Sequence, residues 1–555
     1  MIRIGNASGF YGDRFAAVEE MLTGGPLDVL TGDYLAELTM LILARDRARD
    51  PRLGYARTFL RQLETTLGLA LDKGVRIVVN AGGLNPAGLT AALTALGDKL
   101  GLAPRIGYVT GDELPAGDAL ASNAYLGAFG IARCLAAGAD VVVTGRVTDA
   151  SLVVGPAIER YGWGREDYDA LAGATVAGHI LECGAQATGG NFAFFTELAD
   201  VHHPGFPVAE VAADGSCVIT KHEGSGGAVT VETVTAQLLY EIGPPRYLGP
   251  DVVAHFETIA LEQAGPDRVA VSGVRGSPPP PTLKTGTNTL GGYRNMMTFV
   301  LTGLDIEAKA RLVRGQLTEA VGKDGLEFSL ARTDHPDADS TETASALLHV
   351  HLTDPDPARA GRAFSQSAVE LALASYPGCT LTTPPGDATP FGVFTAGSVA
   401  QDQVSHVAVL PGGERVAIPA PARTEPPGTA PRPAAPPDPP VGATLRVPLG
   451  TVVGARSGDK GGDANLGVWA RDERGYGWLR AYLTVDELGT LLPEAADLDV
   501  DRYELPNLRA LNFVIHGLLG RGVAASTRFD PQAKALGEWL RSRLVDVPVE
   551  LGGAP

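Results

Sequence analysis

Four short polar segments carry side chains suited to acid/base chemistry. They read Gly5-Asn6-Ala7-Ser8-Gly9, Asn80-Ala81-Gly82-Gly83-Leu84-Asn85, Thr110-Gly111-Asp112-Glu113 and Gly145-Arg146-Val147-Thr148-Asp149. Two carboxylates flanking one pocket, here Asp112 and Asp149, can divide general-acid and general-base roles when their environments separate their pKa values. The same oxygens, with Asn80 and Asn85, can instead hold a magnesium ion, or simply close Asx turns. Asp13 and Asp33 extend the set. Arg146 can clamp a substrate carboxylate or phosphate with two parallel N–H donors, or pair only with Asp149. Asn6, Ser8, Asn80, Gly82, Gly83, Asn85 and Thr148 are the candidates for substrate contact, because glycine lets a backbone approach a ligand closely.

A fifth segment runs Glu182-Cys183-Gly184-Ala185-Gln186-Ala187-Thr188-Gly189-Gly190-Asn191. Its backbone N–H groups suit an oxyanion or an enolate, with Gln186, Gly189, Gly190 and Asn191 as binding candidates. Cys183 is a nucleophile if its pKa is depressed and an inert buried thiol if it is not. Glu182 can move a proton, and His179 stands four residues before Cys183, the spacing of one helix face. Much later, Arg456, Ser457, Asp459, Lys460, Asp463 and Asn465 crowd one short segment. Arg456, Ser457 and Lys460 can bind an anionic group such as a coenzyme A phosphate, or the cluster can latch two domains together. Several familiar motifs are missing: there is no GxSxG, no HExxH, no zinc spacing and no GxGxxG after the first strand. Residues 334–339, DHPDAD, lack the glycine and glutamate of a calcium loop, and no metal ligands are assigned.

These loops need a scaffold. β-rich runs at 2–4, 76–79, 105–109 and 140–144 alternate with helical patterns at 34–48, 55–73, 88–100 and 122–137. Strand, long crossover, strand predicts an α/β domain over 1–284 with a largely parallel sheet flanked by helices. Its loops at the carboxyl ends of strands would form the ligand crevice. Residues 285–410 predict an α+β ferredoxin-like subdomain: strand 294–301, helix 305–321, strands 326–332 and 347–352, helix 358–375, strand 404–410. The run 419–440 is proline-rich and aperiodic, so 411–444 is expected to be a linker. Beyond it, 445–555 predict a small α+β domain with strands at 451–454, 465–469, 478–483 and 508–518 and a helix at 530–544.

Composition sets the outer bounds. A hydrophobic fraction of 45% over 555 residues excludes a disordered chain. Lys and Arg number 45 against 64 Asp and Glu, and the net charge of −19 argues against nucleic acid or an anionic membrane as partner. No apolar run is long enough for a membrane span, and the first residues lack the pattern of a secretory leader. Four scattered cysteines without CxxC read as reduced thiols of a cytoplasmic protein.

Several of these segments are long enough to carry a resemblance. IGNASGFYGDR, VVNAGGLNP, ADVVVTGRVTDASLVVGP, GHILECGAQATGGNF and VTAQLLYEIGPPRYLGPDV resemble the N-terminal domain of the acyclic terpene utilisation (AtuA-like) family. ARSGDKGGDANLGVWAR resembles that family's C-terminal ferredoxin-like domain. The resemblance implies a cytoplasmic bacterial protein in the breakdown of branched acids as coenzyme A esters, with acyl-CoA carboxylase subunits as partners.

Together these readings predict a catabolic enzyme for a branched or hydroxylated carboxylic acid or its acyl-CoA ester, of hydratase/dehydratase or lyase type. No cofactor is firmly implied; magnesium is an option. The alternatives are a non-catalytic subunit or scaffold of an acyl-CoA carboxylase system, and a Cys183-dependent hydrolase or transferase. Pairing of ferredoxin-like sheet edges would make a homo-oligomer.

Overall fold

The computed structural model describes residues 1–431 and 442–551. Residues 432–441 of the expected linker lie outside the described residues. The chain divides into two units, Met1–Asn288 with Phe394–Val523 and Asp530–Pro555, and Thr289–Val393 with Ala524–Phe529.

Strands of the first unit begin with β1 (Ile2–Asn6), β2 (Val29–Gly32), β3 (Arg76–Val79), β4 (Ile106–Thr110), β5 (Ala121–Ala124), β6 (Val141–Thr144), β7 (Pro207–Val211) and β8 (Cys217–Lys221). Five of them form a parallel sheet in the order β1-β2-β3-β6-β4. Helices α1 (Ala17–Gly24), α2 (Glu37–Arg49), α3 (Arg57–Lys73), α4 (Pro86–Leu100), α5 (Phe129–Ala136), α6 (Ser151–Tyr161), α7 (Tyr168–Leu181) and α8 (Val231–Leu238) follow in sequence. A parallel strand covered on both faces needs apolar residues at consecutive positions. Ile77 and Val79 face the core of α1, α3 and α4, while Val78 between them faces the core of α5, α6 and α7. Val141, Val142 and Val143 divide in the same way. Each fully buried side chain of this kind stabilises the fold by about 1.5–3 kcal/mol.

The parallel core is widened by antiparallel strands into eleven, with β7 and β8 beyond β1 and the hairpin Val407–Val409/Arg415–Ala417 beyond β4. Two expectations change here. Residues 404–410 supply a strand to this sheet and not to the middle subdomain, and 415–417 are sheet, not linker. The predicted helix at 122–137 is shorter, because 121–124 form β5, which pairs with residues 285–288.

The C-terminal segment adds a four-stranded antiparallel sheet to this unit, in the order Val453–Lys460, Asp463–Ala470, Ala510–Ile515, Val500–Leu505. Glycines let it lie close against the loop that follows α8. A Cβ at Gly458 would sit 2.3 Å from the Tyr240 ring, and one at Gly467 2.5 Å from Leu239. Of residues 478–483, expected to be a strand, 478–482 belong to the helix Glu473–Tyr482, which Asp472 caps by accepting from the Gly475 N–H at 2.7 Å. The last helix spans only Leu536–Ser542.

The second unit is a ferredoxin-like βαββαβ sandwich. Strand Thr282–Thr302 pairs through residues 293–302 with Ser345–Asp354, which pairs with Leu326–Ala331. Helices Ile306–Val321 and Phe364–Glu370 pack on this sheet. Its closing strand is the short Thr380–Leu381, in the place expected for 404–410. No helix among the described residues is long and apolar enough to cross a membrane.

Candidate active site

The parallel order brings the carboxyl ends of β1, β2, β3, β4 and β6 to one edge of the sheet. Asn80, after β3, organises it. Its Oδ1 accepts the Tyr34 N–H at 2.7 Å and its Nδ2 donates to Asp33 Oδ1 at 2.6 Å. Burial, and then the charge of Asp149, hold the Asp33 carboxyl well above the ordinary range. Asp112, after β4, accepts from the Asn123 side chain and from the Arg146 N–H, each at 2.8 Å. Burial pushes its pKa up to about 6. Asp112 therefore shapes the turn at Arg146.

Arg146 is buried. Its Nη1 donates to the Leu35 carbonyl at 2.8 Å and to Asp149 Oδ1 at 3.3 Å, and its guanidinium stacks 4.3 Å over the Tyr125 ring. The Lys284 amine sits 4.7 Å from the centre of the same ring. The Nε of Arg146 is buried without a hydrogen-bond partner, as are Glu182 Oε2 and Gln186 Oε1. Unpaired buried polar atoms are rare in folded proteins.

α7 delivers a second wall. His179 Nδ1 lies 3.1 Å from Glu182 Oε1, though without hydrogen-bond geometry. Burial lowers the His179 pKa to about 4, so the ring is neutral, and it packs on Tyr247 and Phe256. Burial and the charges of Asp149 and Glu241 raise Glu182 well above a normal carboxyl. Cys183 retains some surface, but burial and then Glu241 and Glu182 push its thiol up. That direction opposes a thiolate, which needs neighbouring positive charge.

The third wall comes from the loop after α8 and from the C-terminal sheet. Glu241 holds a left-handed φ of 58°, uncommon for a residue with a side chain. Its N–H donates to Asn465 Oδ1 at 2.7 Å and its carbonyl accepts from Lys460 Nζ at 3.0 Å. Burial and Asp459 raise its carboxyl. Burial, and then the positive charge of Lys284, depress Lys460 to about 8. Yet the Lys284 and Lys460 side chains are both exposed.

Other candidates serve the scaffold. Asn6 Nδ2 donates to the Leu181 carbonyl at 2.5 Å, and Ser8 Oγ to the Asp33 carbonyl at 2.9 Å. Asn85 caps α4 by accepting from Gly88 N–H at 2.9 Å. Gly82 and Gly83 are packing positions, where a Cβ would meet the Thr144 carbonyl at 2.5 Å and Leu43 at 2.3 Å. Thr148 shares a hydrogen bond with Ser151. The stretch expected to hold an enolate closes on itself: the N–H groups of Gln186, Gly189 and Gly190 donate to the carbonyls of Cys183, Gln186 and Ala185. Asn191 turns its carbonyl to Arg456 Nη1 at 3.1 Å, and Arg456 stacks on Tyr240. Ser457 Oγ accepts the Gly537 N–H at 2.9 Å, inside the C-terminal domain.

Sequence reasoning missed Glu37, Tyr125, Tyr240, Glu241, Tyr247 and Lys284. Among the described residues no three His, Cys, Asp or Glu side chains converge as metal ligands. The arrangement offers Lys284, Lys460 and Arg146 to an anion and carboxyls whose pKa values burial raises.

A model of the acyclic terpene utilisation family protein AtuA matches residues 2–410, and one of the AtuA ferredoxin-like domain matches residues 447–546. Comparison with curated proteins and with solved structures finds no match. With most of its length matched, the chain belongs to the acyclic terpene utilisation AtuA family.

Proposed function

We propose that this chain is an acid/base enzyme acting on a branched or hydroxylated carboxylic acid or its coenzyme A ester, as a hydro-lyase or a carbon–carbon lyase. Family membership implies a part in acyclic terpene utilisation. The reaction class rests on one observation: Asp33, Glu182 and Glu241 carry raised pKa values beside Lys284, Lys460 and Arg146. A carboxyl whose pKa is raised holds its proton more tightly, can donate it to a substrate, and after donation serves as the base. The cations hold a carboxylate or phosphate and stabilise negative charge on a carbonyl oxygen. Hydration, dehydration and retro-aldol cleavage all need this pair of functions and no redox change.

The test is differential scanning fluorimetry with branched acyl-CoA esters and their free acids, followed by native mass spectrometry and turnover assays on each hit. The reading expects a stabilising ligand whose effect is lost in Arg146→Ala and weakened in Lys284→Met, an exposed position that spares folding. No stabilisation by any compound, with an acyl-CoA carboxylase subunit retained in pull-downs, would replace the enzyme by a scaffold.

A further inference from the structure

The parallel register of β2 and β3 pairs Gly32 with Val79, so Asp33 and Asn80 leave the sheet side by side, one residue beyond the last pair. Ser8 pins the Asp33 backbone: the Asp33 N–H donates to the Ser8 carbonyl at 2.9 Å, and the Asp33 carbonyl accepts from Ser8 Oγ at 2.9 Å. Asn80 is fully buried, and both ends of its amide are used. The Tyr34 N–H can only donate, so it takes the amide oxygen at 2.7 Å and turns the amide nitrogen to Asp33 Oδ1 at 2.6 Å. The Leu35 N–H donates to the same Oδ1 at 3.0 Å. An oxygen that accepts two N–H donors uses both lone pairs, so the proton of the neutral carboxyl sits on Oδ2. Leu35 also ties Asp33 to Arg146, because its carbonyl accepts from Arg146 Nη1 at 2.8 Å. Among the described residues both hydrogen bonds of the Arg146 side chain leave from Nη1. That leaves the Nε–Nη2 edge, a side of the guanidinium that can grip a carboxylate with two parallel bonds, and its Nε is buried without a partner.

We propose that Asp33 is the proton-transferring carboxyl of this site, acting through Oδ2 on a substrate whose carboxylate or phosphate lies on the Nε–Nη2 edge of Arg146, and that Asn80 is its positioning residue. The inference rests on the acid/base reading above and selects one of its three carboxyls. In one direction the Oδ2–H bond breaks, its electron pair stays on the carboxylate, and the proton goes to the substrate atom that develops negative charge. In the other direction an O–H or C–H bond of the substrate breaks, its electron pair stays on the substrate, and Oδ2 takes the proton. No oxidant or reductant is consumed. The Asn80 amide and the Leu35 N–H hold Oδ1 in both states, so the carboxyl keeps one orientation throughout. Burial and the charge of Asp149 favour the protonated form, whereas Arg146 and the Asn80 hydrogen bond favour the carboxylate. That opposition suits a group that must both give and take a proton.

The test uses the full chain with dicyclohexylcarbodiimide, which adds to protonated carboxyls and spares carboxylates, and locates the acylurea by peptide mass mapping. An ordinary carboxyl is protonated in roughly one molecule in a few thousand at about pH 7.5. At that pH Asp33 is expected to be labelled at least tenfold faster than the exposed Glu64 and Asp72. Asp33→Asn keeps an acceptor at Oδ1, so it should fold and lose the adduct. Asn80→Ala removes a bond that favours the carboxylate, so labelling of Asp33 should persist to higher pH than in the parent, a direction that lost packing alone does not dictate. The comparison within the parent chain stands even where Asn80→Ala fails to fold. Labelling of Asp33 no faster than Glu64 overturns the proposal. So does full turnover of an identified substrate by Asp33→Asn; loss of that turnover in Glu182→Gln or Glu241→Gln would then leave the acid/base reading standing without Asp33. Fast labelling of Asp33 with no acid or ester bound by the chain sinks the acid/base reading, and the proposal with it.

Discussion

Asn465 and Glu241 are joined by a 2.7 Å hydrogen bond from the Glu241 N–H to the Asn465 side-chain oxygen. A strained turn of the first domain is thereby held by a strand of the C-terminal sheet. Asn465 Nδ2 donates onward to Asn512 Oδ1 at 2.5 Å, and Asn512 Nδ2 donates to the Gly243 carbonyl at 2.8 Å. Both asparagines are fully buried. The C-terminal domain is therefore part of the site, since it sets the backbone that Lys460 touches.

Asn512→Ala should destabilise the chain by about 1–3 kcal/mol, because it leaves Asn465 Nδ2 and the Gly243 carbonyl buried without their partner. Urea unfolding at pH 7 measures this. A change too small to detect would mean that the asparagine pair does not hold the turn.

Arg146→Met should cost about 1–3 kcal/mol, the penalty for leaving a buried acceptor without its donor. The Leu35 carbonyl loses its donor, and Asp149 loses the cation beside it. Arg146→Lys should recover part of the loss, since it restores the charge without the planar fork. Thermal unfolding of the two variants side by side decides it; equal losses would contradict a specific role for the guanidinium.

Asp112 makes stability depend on pH. Its folded pKa of about 6 lies above the ordinary carboxyl value, so the folded state holds the proton more tightly. Its contribution is full below about pH 4 and is lost as pH rises through 6. Asp112→Asn removes this titration. Relative to the parent, the variant should gain up to about 3 kcal/mol between pH 4 and pH 8. Unfolding curves at the two pH values test this, and a pH-independent difference would refute it.

Cys183 should alkylate slowly. Burial beside Glu241 and Glu182 raises its thiol, and burial alone pushes Cys134 and Cys217 up to about 12. Iodoacetamide at pH 8 should modify Cys183 in the folded chain at least tenfold more slowly than in the unfolded chain. Rapid, ligand-protected modification would favour the thiol mechanism.

By itself the sequence determined the parallel sheet and its polar edge. Consecutive apolar residues at 77–79 and 141–143, each leading into a glycine-bearing loop, are local patterns that burial on both faces requires. It placed Arg146, Asp149, Glu182, Cys183 and Lys460 as candidates, and the structure gathers these with Asp33. Tertiary structure alone decided the rest. Glu37, Glu241 and Lys284 are ordinary charged residues in sequence, and only the topology brings their charges to bear on Lys460. Strand 404–410 changed sheets because its apolar alternation suits either edge, and β4 had an open edge to offer. The run 478–483 reads as a strand, yet the Asp472 cap and the three-residue spacing of buried Tyr476 and Leu479 make 473–482 a helix. The division has one physical cause. Periodicity and capping act over a few residues and are written locally, whereas a pKa depends on every charge and surface folded around the group.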